Sequence, residues 1–161
     1  TSFGSCTGTL AALKADLKAV IVKVLPANDI NAASEICISF WSEVAKYIPE
    51  WNFVKNGRLT AGEVRKDMIH SHAIALQAMG IAGSQLLLEQ PLSWKERLPL
   101  LQGLDWSRSN AKMWEGRTLV AGRVSKSSSN VTLTANLIKH RLELALSPEE
   151  KRLVESYIRV Q

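Results

Sequence analysis

The chain has few of the residues that would mark a familiar chemistry. Only two cysteines occur in 161 residues, and Cys37 lies between Ile36 and Ile38 in a helical pattern, where a small buried hydrophobe belongs; this argues against a disulfide framework. No apolar run approaches the roughly twenty residues needed to span a bilayer, and the start of the sequence lacks a charged-then-apolar signal pattern. The expectation is therefore a cytoplasmic protein with no membrane contact. There is no CxxC, no HExxH, no nucleophile elbow and no glycine-rich phosphate loop, because Gly80 and Gly83 sit inside a helical pattern without a following Lys-Ser or Lys-Thr pair. The carboxylates are scattered. Nothing in the composition supports an enzyme or requires a cofactor.

What is present is enough apolar content, 46%, for one well-formed core, together with a modest basic bias of +5. That charge is compatible with nucleic acid or an acidic partner, but decides little alone. One domain over residues 1–161 is the default. The opening TSFGSCTGT begins at Thr1 and reads as the edge of a processed product or of a piece of something longer.

Most of the chain reads as amphipathic helix. Leu10, Leu13, Leu17, Val20, Ile21 and Val24 recur at three- and four-residue steps, capped by Thr7 or Thr9 and closed by Pro26. Asp29 then caps a second helix with the stripe Ile30, Ala33, Cys37, Phe40, Trp41, Val44 and Ile48, and the short connection makes the two an antiparallel hairpin. Residues 50–59 read as a loop in which Trp51 and Phe53 form an exposed aromatic patch. Thr60 and Glu63 have capping-box spacing and open a helix to Met79 or beyond; a buried helix follows, ended by Pro91. Ser93 and Glu96 repeat the spacing for a short helix that Gly103 ends. Thr132 or Thr134 caps a helix containing Leu137, Ile138, Leu142 and Leu146, and Ser147, Pro148 and Glu150 start the last, with the stripe Leu153, Val154, Tyr157 and Ile158. The predicted fold is all-α, a compact bundle of about six helices with one irregular basic segment near residues 104–134 that can hold a short β-hairpin.

That segment is the part that stands out. It packs Trp106, Trp114, Arg108, Lys112, Arg117, Arg123 and Lys126 around a polar loop, 125–130, with one helical turn near Asn110 to Trp114 and a strand-like passage at Thr118 to Val124. Two readings compete. An irregular cation-rich segment can meet a polyanion, with Arg and Lys neutralising phosphates and hydroxyls adding hydrogen bonds. Alternatively the indoles are core anchors and the cations a solvated surface, which composition alone favours. Asp105 is read as an N-cap.

His70 and His72 invite a metal hypothesis, but on a helix positions two apart point about 200° away from each other and cannot chelate one ion together. His72 shares a face with Met68 and Leu76 as a hydrogen-bonded core histidine, and His70 falls near Glu63 and Asp67 on a polar face. No metal is expected.

The order of three passages adds a family signal. VRKDMIHSHAIALQAMG, then LLQGLDWSRSNAKMWEGR, then VAGRVSKSSSNVTLTANLIKHRL resembles the C-terminal region of the DNA sulfur modification protein DndB family, over roughly residues 60 to 146. Residues 1 to 59 add only compatible helices. Family members carry a DGQHR motif earlier in the chain; none is present here, so what that motif supports is not carried over, and the resemblance implies a C-terminal piece of a longer protein. The family belongs to the bacterial system that replaces a non-bridging phosphate oxygen of DNA by sulfur. It is associated with regulating that system, including transcriptional control of the modification genes, rather than with inserting sulfur.

The resemblance implies a DNA-binding regulatory module, and the basic character of the segment makes Arg108, Lys112, Arg117, Arg123 and Lys126 the candidates for backbone contacts, supported by Lys139 and Arg141, with no base-reading element. The alternative is a protein-interaction or assembly module that docks on other components of the system without touching DNA. A third reading, an enzyme fragment, would centre on His70, Glu63 and Asp67.

Overall fold

A computed structural model describes residues 30–125 and 127–160. The predicted helix over Leu10 to Val24, its hairpin and the Asp29 cap lie outside the described residues, as does Lys126. The fold is all-α apart from one two-stranded hairpin, with eight α-helices among the described residues: α1 (Ile30–Val44), α2 (Pro49–Lys55), α3 (Ala61–Asp67), α4 (Ala73–Glu89), α5 (Trp94–Arg97), α6 (Ala111–Trp114), α7 (Ser128–Arg141) and α8 (Pro148–Val160). Short 3-10 turns at Ala45–Tyr47, Ile69–Ser71 and Leu98–Gly103 join them.

The centre is α4. Its residues are apolar nearly all the way round, so it buries Ile74, Ala75, Ala78, Met79, Ala82, Leu86 and Leu87 on several sides at once and packs along α7. Gly83 lets α1 come close: a Cβ there would lie 2.2 Å from Cζ of Phe40, so the Phe40 ring rests directly on the α4 backbone. Phe40 and Val44 bury the inner stripe of α1, Ile48 is buried just after the 3-10 turn that follows it, and Cys37 is a half-buried thiol.

All five tryptophans belong to one continuous run of ring contacts. Trp94 meets Phe40, Phe40 meets Trp41, Trp41 meets Trp51, Trp51 meets His70, His70 meets Trp106, and Trp106 stacks on Trp114 with centroids 5.4 Å apart. Trp106 and Trp114 are buried, as core anchors should be.

Several boundaries differ from the periodicity. The long helix expected from Thr60 to Met79 starts as predicted, with a complete Thr60–Glu63 capping box, but breaks after Asp67. There the backbone is needed elsewhere: Met68 is extended and bridges Ser107, Ile69 N–H donates to Trp106 O at 2.8 Å, and Arg108 N–H donates to Asp67 O at 2.8 Å. Residues 50–59 are not simply a loop, because Pro49 starts α2 and Gly57, at a φ of 70°, ends the turn after it. Nor do Trp51 and Phe53 form an exposed patch; both are half-buried, Trp51 against His70 and Phe53 beneath Arg58. The helix assigned to a Thr132 or Thr134 cap starts earlier, at Ser127, whose hydroxyl accepts Asn130 N–H at 3.2 Å. Part of the expected serine loop is therefore helix. Ser93 makes no side-chain cap, whereas Ser147 and Glu150 form the expected reciprocal pair that opens α8.

Candidate nucleic-acid interface

The segment after Leu104 is irregular but fully organised. Asp105 does not cap α6. One of its carboxylate oxygens accepts Ser107 N–H and the other accepts the Asn110 amide, both at 2.9 Å, while its backbone carbonyl accepts Trp114 Nε1 at 2.9 Å. Asn110 is the cap, its Oδ1 accepting Met113 N–H at 3.2 Å.

The next five carbonyls lack a continuing helix, and each finds a donor. Arg117 Nη1 donates to Met113 O at 2.9 Å, and the Arg117 and Thr118 amides donate to Trp114 O. The Tyr157 hydroxyl, from α8, donates to Glu115 O at 2.9 Å. The Asn130 amide, from the first turn of α7, donates to Gly116 O at 2.8 Å and Arg117 O at 2.5 Å. Buried backbone that leaves regular structure must be paired in some such way. Asn130 and Tyr157 are the residues that sequence reasoning missed, because their partners are distant in sequence.

From this base rises the hairpin, β1 (Leu119–Val120) and β2 (Arg123–Val124), paired Leu119 with Val124 and Val120 with Arg123. Its turn residues Ala121 and Gly122 have φ of 51° and 71°, as a two-residue type I′ turn requires. Glu115 accepts the Ala121 and Gly122 amides at 2.5 and 3.2 Å, and Arg108 Nη2 donates to Gly122 O at 2.9 Å. The turn is clamped from both sides.

The seven cations named from sequence are placed differently from one another. Lys112 on α6 and Arg123 on β2 are exposed. Arg108 and Arg117 are half-buried, each using part of its guanidinium on backbone carbonyls, with Arg117 also 4.5 Å over the Tyr157 ring. These four belong to the same clamped segment. Arg141 is exposed at the end of α7, where its Nε donates to Leu100 O at 2.9 Å and its guanidinium covers Gly103. Lys139 points inward: it is only 6% exposed and its Nζ is 2.5 Å from Glu150 Oε1, which ties α7 to α8. It lines a 430 Å³ cleft with Gln85, Glu89, Ala145, Leu146, Ser147 and Glu150. Lys126 lies outside the described residues.

The histidines do not sit as a continuous helix would place them. His70, expected on a polar face, is fully buried on the 3-10 turn, and its Nδ1 accepts Trp51 Nε1–H at 3.0 Å. Its Nε2 lies 3.3 Å from Glu50 Oε2, close enough for charge attraction but off the line of a hydrogen bond. Burial outweighs the Glu50 charge and pushes the imidazole down to about 4 from its ordinary 6.5. His72 is also buried, its pKa lowered by burial and then by the Arg65 charge. No group of three or more potential ligands clusters for a metal ion among the described residues, and no helix among them is long and apolar enough to cross a membrane.

No curated protein and no solved structure matches the chain. The sequence profile of the DndB family, described as DNA-sulfur modification-associated, matches residues 6–145. That span starts well before the motifs at Val64 to Leu142 and takes in α1 and α2, while α8 lies beyond it. With most of its length inside the match, the chain belongs to the DndB family and is associated with DNA sulfur modification.

Proposed function

We propose that the chain is a DNA-contacting regulatory module of the sulfur modification system, acting in transcriptional control of the modification genes. The observation that carries this reading is the clamped basic segment. Lys112 and Arg123 are exposed on a frame that Asn130, Tyr157, Glu115 and Arg108 hold in place, so the backbone share of the ordering cost of a phosphate contact is met before DNA arrives. Arg108 and Arg117 add positive potential behind them. The contacts are to backbone phosphates; neither the hairpin nor α6, at four residues, is a groove-reading element. The direct experiment is a fluorescence titration of a duplex with the chain at low salt. Saturable binding supports the reading, and no binding overturns it.

The competing reading is an assembly module that docks on another component of the system. It is favoured by Leu92, fully exposed between α4 and α5, with Leu88 and Ile38 also exposed. Absence of DNA binding together with retention of a system component on the wild-type chain, lost in Leu92→Lys, would select it.

A further inference from the structure

Resting on the DNA-contacting reading, we infer that the outward face of the hairpin, Val120 beside Arg123, is a recognition site for a sulfur-substituted phosphodiester. Val120 and Arg123 are directly opposed in the antiparallel register, so their side chains stand on the same face, with Cβ atoms about 5 Å apart. The other pair, Leu119 and Val124, turns inward, with Leu119 buried and Val124 half-buried. Val120 is 52% exposed and is the one large apolar side chain in the exposed class among the described residues of the basic segment, 104–125. A valine open to water at a position bordered by cations is the feature that phosphate binding leaves unexplained.

The chemistry of the ligand accounts for it. Replacing a non-bridging phosphate oxygen by sulfur leaves the negative charge, so a cation remains necessary. Sulfur is larger, more polarisable and a weaker hydrogen-bond acceptor than oxygen, so it gains from apolar contact and gives up little when no donor faces it. A cation paired with an exposed aliphatic group therefore favours the sulfur-bearing diester, whereas a cation paired with a hydroxyl or amide favours the ordinary one. The frame needed to hold such a pair is present. Glu115 binds both turn amides and Arg108 binds the Gly122 carbonyl, so the positions of Val120 and Arg123 are fixed from either end of the turn. The Glu115 carboxylate is the acidic group bonded to the turn, and its two amide bonds direct it at the backbone, away from the role of a ligand contact.

The test is competition between two duplexes of identical sequence, one carrying a single phosphorothioate in a defined stereochemistry and one unmodified, against the full chain. The wild type should prefer the sulfur-bearing duplex by roughly three- to tenfold, the scale of one partly buried apolar contact. Val120→Thr replaces a methyl by a hydroxyl of nearly equal volume and keeps a good strand former; with a hydroxyl beside Arg123 the ratio should fall to one or below. Arg123→Gln should weaken both duplexes alike. Salt-sensitive binding with a wild-type ratio of one for both stereoisomers, or a ratio that survives in Val120→Thr, overturns this inference and leaves the DNA reading standing. No binding to either duplex at low salt overturns both.

Discussion

Trp51 Nε1 donates to His70 Nδ1 at 3.0 Å, which fixes the neutral ring as the tautomer protonated at Nε2, the nitrogen that lies 3.3 Å from Glu50 Oε2. The ring thereby links α2 to the break between α3 and α4 in the middle of the tryptophan run. Because the buried ring resists protonation, the unfolded chain binds more protons than the folded one between the two pKa values, 6.5 and about 4. Stability from this group is fully present above pH 6.5 and falls as the pH drops toward 4, by at most about 3 kcal/mol. His72 acts in the same direction. Denaturant midpoints measured from pH 7.5 to 4 should decline, and the decline should be shallower in His70→Gln. An identical profile in the variant would contradict the assignment.

Gly83→Ala should destabilise by about 1–3 kcal/mol, because the new methyl meets the Phe40 ring and α1 must move away from α4. The cost should be smaller in a Phe40→Leu background, since the two positions share one contact. Thermal melts of the four chains in that cycle decide it; simple additivity would show that the ring does not rest on the helix.

Tyr157→Phe removes the donor to Glu115 O while keeping the ring beneath Arg117. The expected cost is about 1 kcal/mol, with faster hydrogen exchange at the amides of 116 to 122. Asn130→Ala deprives two carbonyls at once and should cost about 2 kcal/mol with a larger effect on the same amides. Unchanged exchange in both variants would mean that the turn is held by its own backbone bonds alone.

Lys139 separates a structural cation from an interfacial one. Lys139→Met leaves Glu150 without its partner at the α7–α8 junction and should cost about 3 kcal/mol. DNA affinity of the folded variant should not change. A weakened affinity with stability intact would place Lys139 in the interface after all.

The features legible in the sequence were the local ones. The capping boxes at Thr60–Glu63 and Ser147–Glu150 need only residues three apart, and Trp106 and Trp114 read as core because indoles seldom stay in water. The break at Met68 was not legible, since its cause is pairing with Trp106–Arg108 nearly forty residues on. With that break hidden, a continuous helix put His70 on a polar face, when the turn actually directs it into the core. Lys139 looked like any helix-end cation until α8 supplied Glu150, and Asn130 and Tyr157 carried no local signal because their acceptors are the carbonyls of a distant turn. Of the candidate site, the sequence located the basic segment, and the fold sorted its cations into exposed and engaged ones.

The most direct measurement is the affinity of the chain for a fluorescent duplex across a salt series, with the double variant Lys112→Gln, Arg123→Gln alongside. Log affinity of the wild type should fall linearly with log salt, with a slope of roughly −2 to −4 for two to four phosphate contacts, and the double variant, still folded, should reduce that slope by about 2. A flat salt response, or a slope that the double variant leaves unchanged, would contradict that expectation and take DNA contact away from this segment.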